Sequence, residues 1–215
     1  MTMSSLDMYV TKRNGMEEVL SSKKILERTK KLGERFDIHL DCEILTKKVM
    51  DQLYNKIKTS QIDELMSQTC ASLGTTDYDY YRLASVLSIS NHQKEVHMDF
   101  VKNYELIFNN NEGYLSESFL NIIKKHSSFF HSLLDYNRDY DIDFFGFKTL
   151  ERAYLIKYNN MTCERIQHLW LRVAVQIHGE NLNKVAETYN ALSQKYFIHA
   201  TPTLFNAGTK RPQLS

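Results

Sequence analysis

Proline is nearly absent from this chain. Both of its two prolines, Pro202 and Pro212, fall in the last fifteen of 215 residues, and there are only seven glycines. Helices can therefore run through most of the sequence with few interruptions. Charge of one sign is also missing. A formal net charge of +1 argues against a nucleic-acid coat or a polybasic membrane anchor, so any anion site must be a local cluster. The three cysteines, Cys42, Cys70 and Cys163, form no CxxC or Cys/His metal pattern, and an odd, scattered set fits a reducing compartment. All three read as buried small residues in helices or helix starts. No apolar run approaches the roughly 18 residues a membrane span needs, and Met1–Asp7 has no signal-peptide core. A cytoplasmic protein is expected. What is present is a 42% hydrophobic and 12% aromatic composition, enough to build a core.

The pattern along the chain predicts a mainly α protein. Tyr9-Val10-Thr11 and Val19-Leu20 flank Asn14-Gly15, a strong hairpin turn signal. Ser22 is positioned to cap a helix to about Leu32, and Asp41 to cap another to about Ile57. Ser60 with Asp63 resembles a capping box, with Gly74 as the stop of the helix that follows. A fourth helix is expected from about Tyr78 to Phe108. The polar run Asn109-Asn110-Asn111-Glu112-Gly113 reads as the internal boundary. Beyond it come short helices near Ser116–Lys125 and Ser127–Leu134, and a turn-rich stretch from Asp135 to Asp143. A small hairpin about Asn159-Asn160 and helices over Glu164–Ile177 and Asn183–Lys195 complete the pattern.

Three clusters could carry chemistry. Lys12-Arg13-Asn14-Gly15 sets two cations beside a turn where backbone can approach phosphate oxygens, and Lys24 adds a third. A cation near a helix start opposes the dipole unless an anion sits there. Thr59-Ser60 with Asp63 opens a helix, where free N–H groups and hydroxyls favour an anion and Asp63 can accept from a base or ribose. Lys94, in Ser90-Asn91-His92-Gln93-Lys94-Glu95, can reach a phosphate across a bundle. Taken singly, each reads as readily as an ordinary solvated turn, cap or surface lysine.

Together with Met8-Tyr9-Val10-Thr11, Glu18, Ile25 and Leu83-Ala84, these clusters resemble the ATP-cone, a β-hairpin and four-helix nucleotide module. The resemblance implies that Lys12, Arg13, Lys24 and Lys94 face phosphates. It also implies that Glu18, Ile25, Thr59 and Asp63 surround ribose and adenine. Asn14 stands where aspartate is more usual. Further on, Phe144-Phe145-Gly146-Phe147-Lys148-Thr149-Leu150-Glu151-Arg152-Ala153-Tyr154-Leu155, Arg165-Ile166-Gln167-His168 and Arg172-Val173-Ala174-Val175 resemble the helical N-terminal segment of class I ribonucleotide reductase large subunits. So do Glu187–Ser193 and Phe197-Ile198-His199-Ala200-Thr201-Pro202-Thr203.

The fold so implied is an ATP-cone, a small β-hairpin or sheet capping a four-helix bundle, over residues 8–108. It follows a disordered tail at 1–7 and precedes a helical domain at 114–215 that leads into an absent α/β barrel. The resemblance implies ATP or dATP as allosteric effector, with Mg2+, and no cofactor or metal for chemistry. It places Thr201 at the rim of the nucleoside diphosphate pocket. The implied partners are the remainder of the large subunit, a radical-generating small subunit and further copies of the chain, with no nucleic acid or membrane. No cysteine here matches a catalytic position, so the chain alone is expected to be inactive. It is also expected to have mobile C-terminal residues and incomplete cover over Trp170, Phe197 and Leu204. The alternative reading is a stand-alone ATP-sensing module or helical interaction protein.

Overall fold

The computed structural model describes residues 8–111 and 113–214. The expected tail at 1–7 lies outside the described residues, as does Glu112. The chain divides into two compact units. One comprises the residues up to Glu95 with Asp143–Phe147, the other Val96–Ile142 with Lys148–Ser215.

In the first unit, β1 (Tyr9–Thr11) and β2 (Glu17–Val19) pair antiparallel, Tyr9 opposite Val19. Gly15 closes the turn at φ +82°, and Asn14 Oδ1 accepts from the Met16 amide at 3.1 Å. A third strand that the sequence reading missed, β3 (Ile57–Lys58), pairs parallel to β1. Four helices follow the expected order: α1 (Ser22–Arg35), α2 (Cys42–Met50), α3 (Thr59–Leu73) and α4 (Tyr78–Glu95). Their core includes Leu45, Val49, Met66, Leu83 and Leu87, each at most 1% exposed.

Several expected boundaries are corrected. The cap of α1 is Ser21, whose Oγ accepts from the Lys24 amide at 3.4 Å, and Ser22 is already helical. Asp41 caps α2 as expected, but that helix ends at Met50, which frees Ile57 for the sheet. No Ser60–Asp63 capping box forms. The α3 helix starts at Thr59, and Gln61 Oε1 accepts from the Lys58 amide at 3.2 Å. Gly74 does end α3. The single helix expected from Tyr78 to Phe108 is two. Asp99 accepts from the Lys102 amide at 2.9 Å and so starts α5 (Phe100–Asn110). The compact units accordingly part at Glu95/Val96, and Asn109 and Asn110 are helical rather than loop.

The second unit contains α5, α6 (Glu117–Lys125), α7 (Ser127–Leu133) and a 3-10 turn over Tyr136–Asp141. The hairpin β4 (Lys157–Tyr158) and β5 (Met161–Thr162) turns at Asn159 and Asn160, both at positive φ, as the Asn-Asn pair suggested. Between these lies α8 (Phe144–Ala153), whose first turn is counted with the other unit. The central element is α9 (Ile166–His178), buried without a break from Ile166 to Val175. Then come α10 (Leu182–Ser193) and α11 (Thr201–Asn206).

The buried Arg172 and Gln167 of α9 both have partners. Arg172 and Glu164, both 0% exposed, pair at 2.6 and 3.0 Å, and Arg172 Nη1 donates to the Ala207 carbonyl at 2.6 Å. Gln167 donates to Asp139 and accepts from Tyr189, each at 2.9 Å. Gly208, at φ +73°, lies against the Arg172 stem, where a Cβ would come within 3.1 Å of Cγ. Of the last fifteen residues, for which mobility is the expectation, Thr201–Asn206 form α11, and Leu204 and Ala207 are buried. Trp170 and Leu204 are covered, against expectation, while Phe197 is 45% exposed. Cys163 is half-buried in the stretch between β5 and α9, rather than buried in a helix. Burial raises the thiol pKa of all three cysteines, Cys70 to about 12, which suits packing and not nucleophilic chemistry.

Candidate functional site

The sheet of the first unit and the starts of α1 and α3 enclose a cavity of about 500 Å³ together with Lys94 of α4. All eight residues named from the sequence (Lys12, Arg13, Glu18, Lys24, Ile25, Thr59, Asp63 and Lys94) line it. Each is brought there by local structure. The hairpin turn carries Lys12 and Arg13, and the β1–β2 pairing sets Glu18 opposite Val10. Ser21 starts α1 so that Lys24 and Ile25 fall in its first turn. The early start of α3 puts Thr59 and Asp63 one turn apart on one face. Val10, Leu20, Ile62 and Met66 give the cavity an apolar side.

The charges are arranged as exchangeable pairs. Glu18 Oε2 holds Lys12 at 2.8 Å and Lys24 at 3.1 Å. Hydrogen bonds from these two lysines hold its carboxyl below the usual carboxylate range. Asp63, with its side chain 8% exposed, takes a two-pronged grip from Arg28, Nε to Oδ1 at 2.7 Å and Nη2 to Oδ2 at 2.9 Å. Arg13 Nη2 joins Asp63 at 3.2 Å, bonds Asn91 Oδ1, and sends Nε toward Glu95 at 3.3 Å. Lys94 has no ion pair among the described residues. Burial, with Arg28 and Arg13 nearby, pushes its pKa down to about 8.

Arg28 is the residue that the sequence reading missed. Its signal was present, since it lies four residues after Lys24 and so on the same helical face, with Thr29 following Ile25 in the same way. Thr201 does not belong to this cavity. It opens α11, is exposed, and its Oγ1 lies 3.2 Å from the Tyr154 hydroxyl. Among the described residues no group of three or more His, Cys, Asp or Glu side chains could hold a metal ion, and no helix is long and apolar enough to cross a membrane.

A concave site with a cationic side, an apolar side and hydroxyls between them suits a phosphorylated nucleoside. Comparison with known proteins agrees with that chemistry. Residues 8–95 match the ATP cone domain, and residues 140–212 match the all-alpha domain of ribonucleotide reductase. The chain is 41% identical over 214 residues to a "Ribonucleoside-diphosphate reductase large subunit" of Plasmodium falciparum (isolate Dd2), covering 97% of this chain and 27% of the relative. It is 43% identical over 214 residues to the "Ribonucleoside-diphosphate reductase large chain" of Cryptosporidium parvum, with the same coverage. A large subunit from Arabidopsis thaliana is 40% identical over 216 residues, with 97% and 26% covered. The chain thus spans about a quarter of the length of the curated relatives it matches.

Proposed function

From the premise that this chain is homologous, over 97% of its length, to the N-terminal part of ribonucleoside-diphosphate reductase large subunits, we propose that its cavity binds ATP or dATP as an allosteric effector. The observation that carries the reading is the meeting of Lys12, Arg13, Lys24, Arg28 and Lys94 with an apolar wall in one cavity of the ATP-cone unit. The five cations take the triphosphate, displacing part of the Glu18 and Asp63 pairing. Glu18, Ile25, Thr59 and Asp63 take the ribose and adenine. Mg2+ travels with the triphosphate, held chiefly by phosphate oxygens, as this cation commonly is.

The activity served is reduction of ribonucleoside diphosphates for DNA synthesis, performed with the remainder of a large subunit and a radical-generating small subunit in the cytoplasm. Thr201 stands at the substrate rim. Neither a nucleic acid nor a membrane takes part, and copies of the chain associate. Effector binding biases assembly, which requires each nucleotide to prefer a different assembled state. Cys42, Cys70 and Cys163 play no part in the redox chemistry. Turnover of a ribonucleoside diphosphate by this polypeptide alone would contradict that assignment.

Calorimetry on the chain tests the binding. One site of roughly micromolar affinity for ATP and dATP is expected, with GTP much weaker. Equal binding of GTP, or no binding, overturns the reading.

A further inference from the structure

We propose that the basic wall of the nucleotide cavity also serves a second chamber, which binds polyphosphate oxygens beyond those of the nucleotide itself. The inference rests on reading the first cavity as a nucleoside triphosphate site. A separate cavity of about 470 Å³ is lined by Lys12, Arg13 and Lys94, the residues it shares with the first, and by Lys58, Ser60 and Glu95.

Arg13 is the partition between them. Its Nη2 reaches Asp63 at 3.2 Å, which lines the first chamber, and its Nε reaches Glu95 at 3.3 Å, which lines the second. A guanidinium presents donors on more than one edge and can serve two anions at once. The parallel pairing of β1 with β3 sets Lys58 beside Thr11, next to the hairpin cations. Lys58 and Ser60 also stand at the N-terminal end of the fifteen-residue α3, whose dipole adds positive potential.

The charge is unbalanced. Among the described residues Glu95 is the one carboxylate lining this chamber, against Lys12, Arg13, Lys58 and Lys94, and it pairs with Arg13 at 3.3 Å. Lys58 and Lys94 have no ion pair among the described residues. The crowding is felt at Lys94, whose pKa burial and the neighbouring arginines depress to about 8. Cations that outnumber the carboxylates around an open cavity favour a polyanion there. The class of ligand is a chain of phosphoryl groups. It arrives either as the far end of a nucleotide longer than a triphosphate or as a separate polyphosphate.

Calorimetry on the whole chain distinguishes these, using ATP, adenosine 5′-tetraphosphate, and tripolyphosphate added to ATP-saturated protein, each repeated on Lys58→Ala. The Lys58 side chain is exposed and makes no hydrogen bond among the described residues, and circular dichroism checks the variant's fold. For one extended ligand, the tetraphosphate binds about tenfold tighter than ATP and Lys58→Ala removes the gain. For a separate anion, tripolyphosphate binds the ATP-saturated protein and Lys58→Ala weakens it about tenfold, with ATP affinity unchanged. If ATP binds normally but neither effect appears, or either appears unaltered in Lys58→Ala, the second chamber is overturned and the nucleotide site stands. If ATP fails to bind while tripolyphosphate binds in a Lys58-dependent way, the nucleotide reading falls and the second chamber remains.

Discussion

Asp63 and Glu164 are each held by an arginine fork, at 2.7 and 2.9 Å from Arg28 and at 2.6 and 3.0 Å from Arg172. The resemblance ends at their surroundings. Glu164 and Arg172 are fully buried, and the remaining capacity of the carboxylate is used by the Tyr104 hydroxyl and the Ile156 amide at 3.0 Å. Burial alone would lower the Arg172 pKa, but Glu164 and Tyr104 hold it above its ordinary value. Arg28 is 27% exposed beside an open cavity, and Arg13, the second partner of Asp63, is shared with Asn91 and Glu95. The same two side-chain types therefore do different work. A sealed pair whose partners are all buried groups of the chain fixes structure, whereas a half-open pair with shared partners can exchange them for a ligand.

The sealed pair is where the largest effect is expected. Arg172→Met leaves Glu164 charged and unmatched in the interior and frees the Ala207 carbonyl, at a cost of about 3–5 kcal/mol. Chemical denaturation should show the loss in the unit built around α9 while ATP binding by the cone persists at temperatures where both units remain folded. The comparison fails if the loss is under about 1 kcal/mol, the range of an exposed pair. Removing both charges with Arg172→Met and Glu164→Gln should recover part of the loss, as double-mutant cycles report for coupled neighbours.

The half-open cluster predicts the reverse pattern. Arg13→Ala should weaken ATP binding by about 1.5–3 kcal/mol, the range for a charge-assisted bond to phosphate. Its effect on stability should stay within about 1 kcal/mol because Arg13 is 29% exposed and Asp63 keeps its two bonds from Arg28. A variant that unfolds without losing affinity would place Arg13 with Arg172 as a structural group.

Much of this contrast could be read from the sequence, though unevenly. The hairpin was legible because Asn14-Gly15 between short β-forming runs has few alternatives, and Asp41 marked a helix start through a local, short-range bond. The eight cavity residues came from a family pattern, which holds the spatial information that single lysines lack. Arg28 escaped because its importance depends on Asp63, 35 residues away, and no local rule joins them. The break at Val96–Asp99 was hidden because apolar spacing continued through it and the Asp99 cap is one residue in a long helical pattern. The short β3 depended on a parallel partner far upstream, which periodicity does not reveal. The contact between α9 and the residue after α11 was missed for a similar reason, since Arg172 reaches the Ala207 carbonyl from 35 residues away.

The smallest expected effect is a pH dependence, and it tests whether Lys94 belongs to the exchangeable cluster. In the free protein its ammonium is disfavoured by burial and by Arg28 and Arg13, with Asp63 opposing, so that it titrates at about 8. A bound triphosphate supplies negative charge and must raise that value. Below about 8 the lysine is charged with or without ligand, and affinity is at its full level. As pH rises past 8 the free protein loses the proton while the complex keeps it, so binding takes up a proton and weakens. Between about pH 7 and about pH 9 the loss should be three- to tenfold, bounded by a factor of ten per pH unit for one group. Stability has the opposite slope. The folded chain binds fewer protons at Lys94 than the unfolded chain between about 8 and 10.5, so this group's penalty fades as pH climbs through that window. Calorimetry in two buffers of different ionisation enthalpy should show proton uptake on ATP binding near pH 8, and Lys94→Met should abolish it. Uptake that survives in Lys94→Met would assign the proton to another group and remove Lys94 from the phosphate contacts.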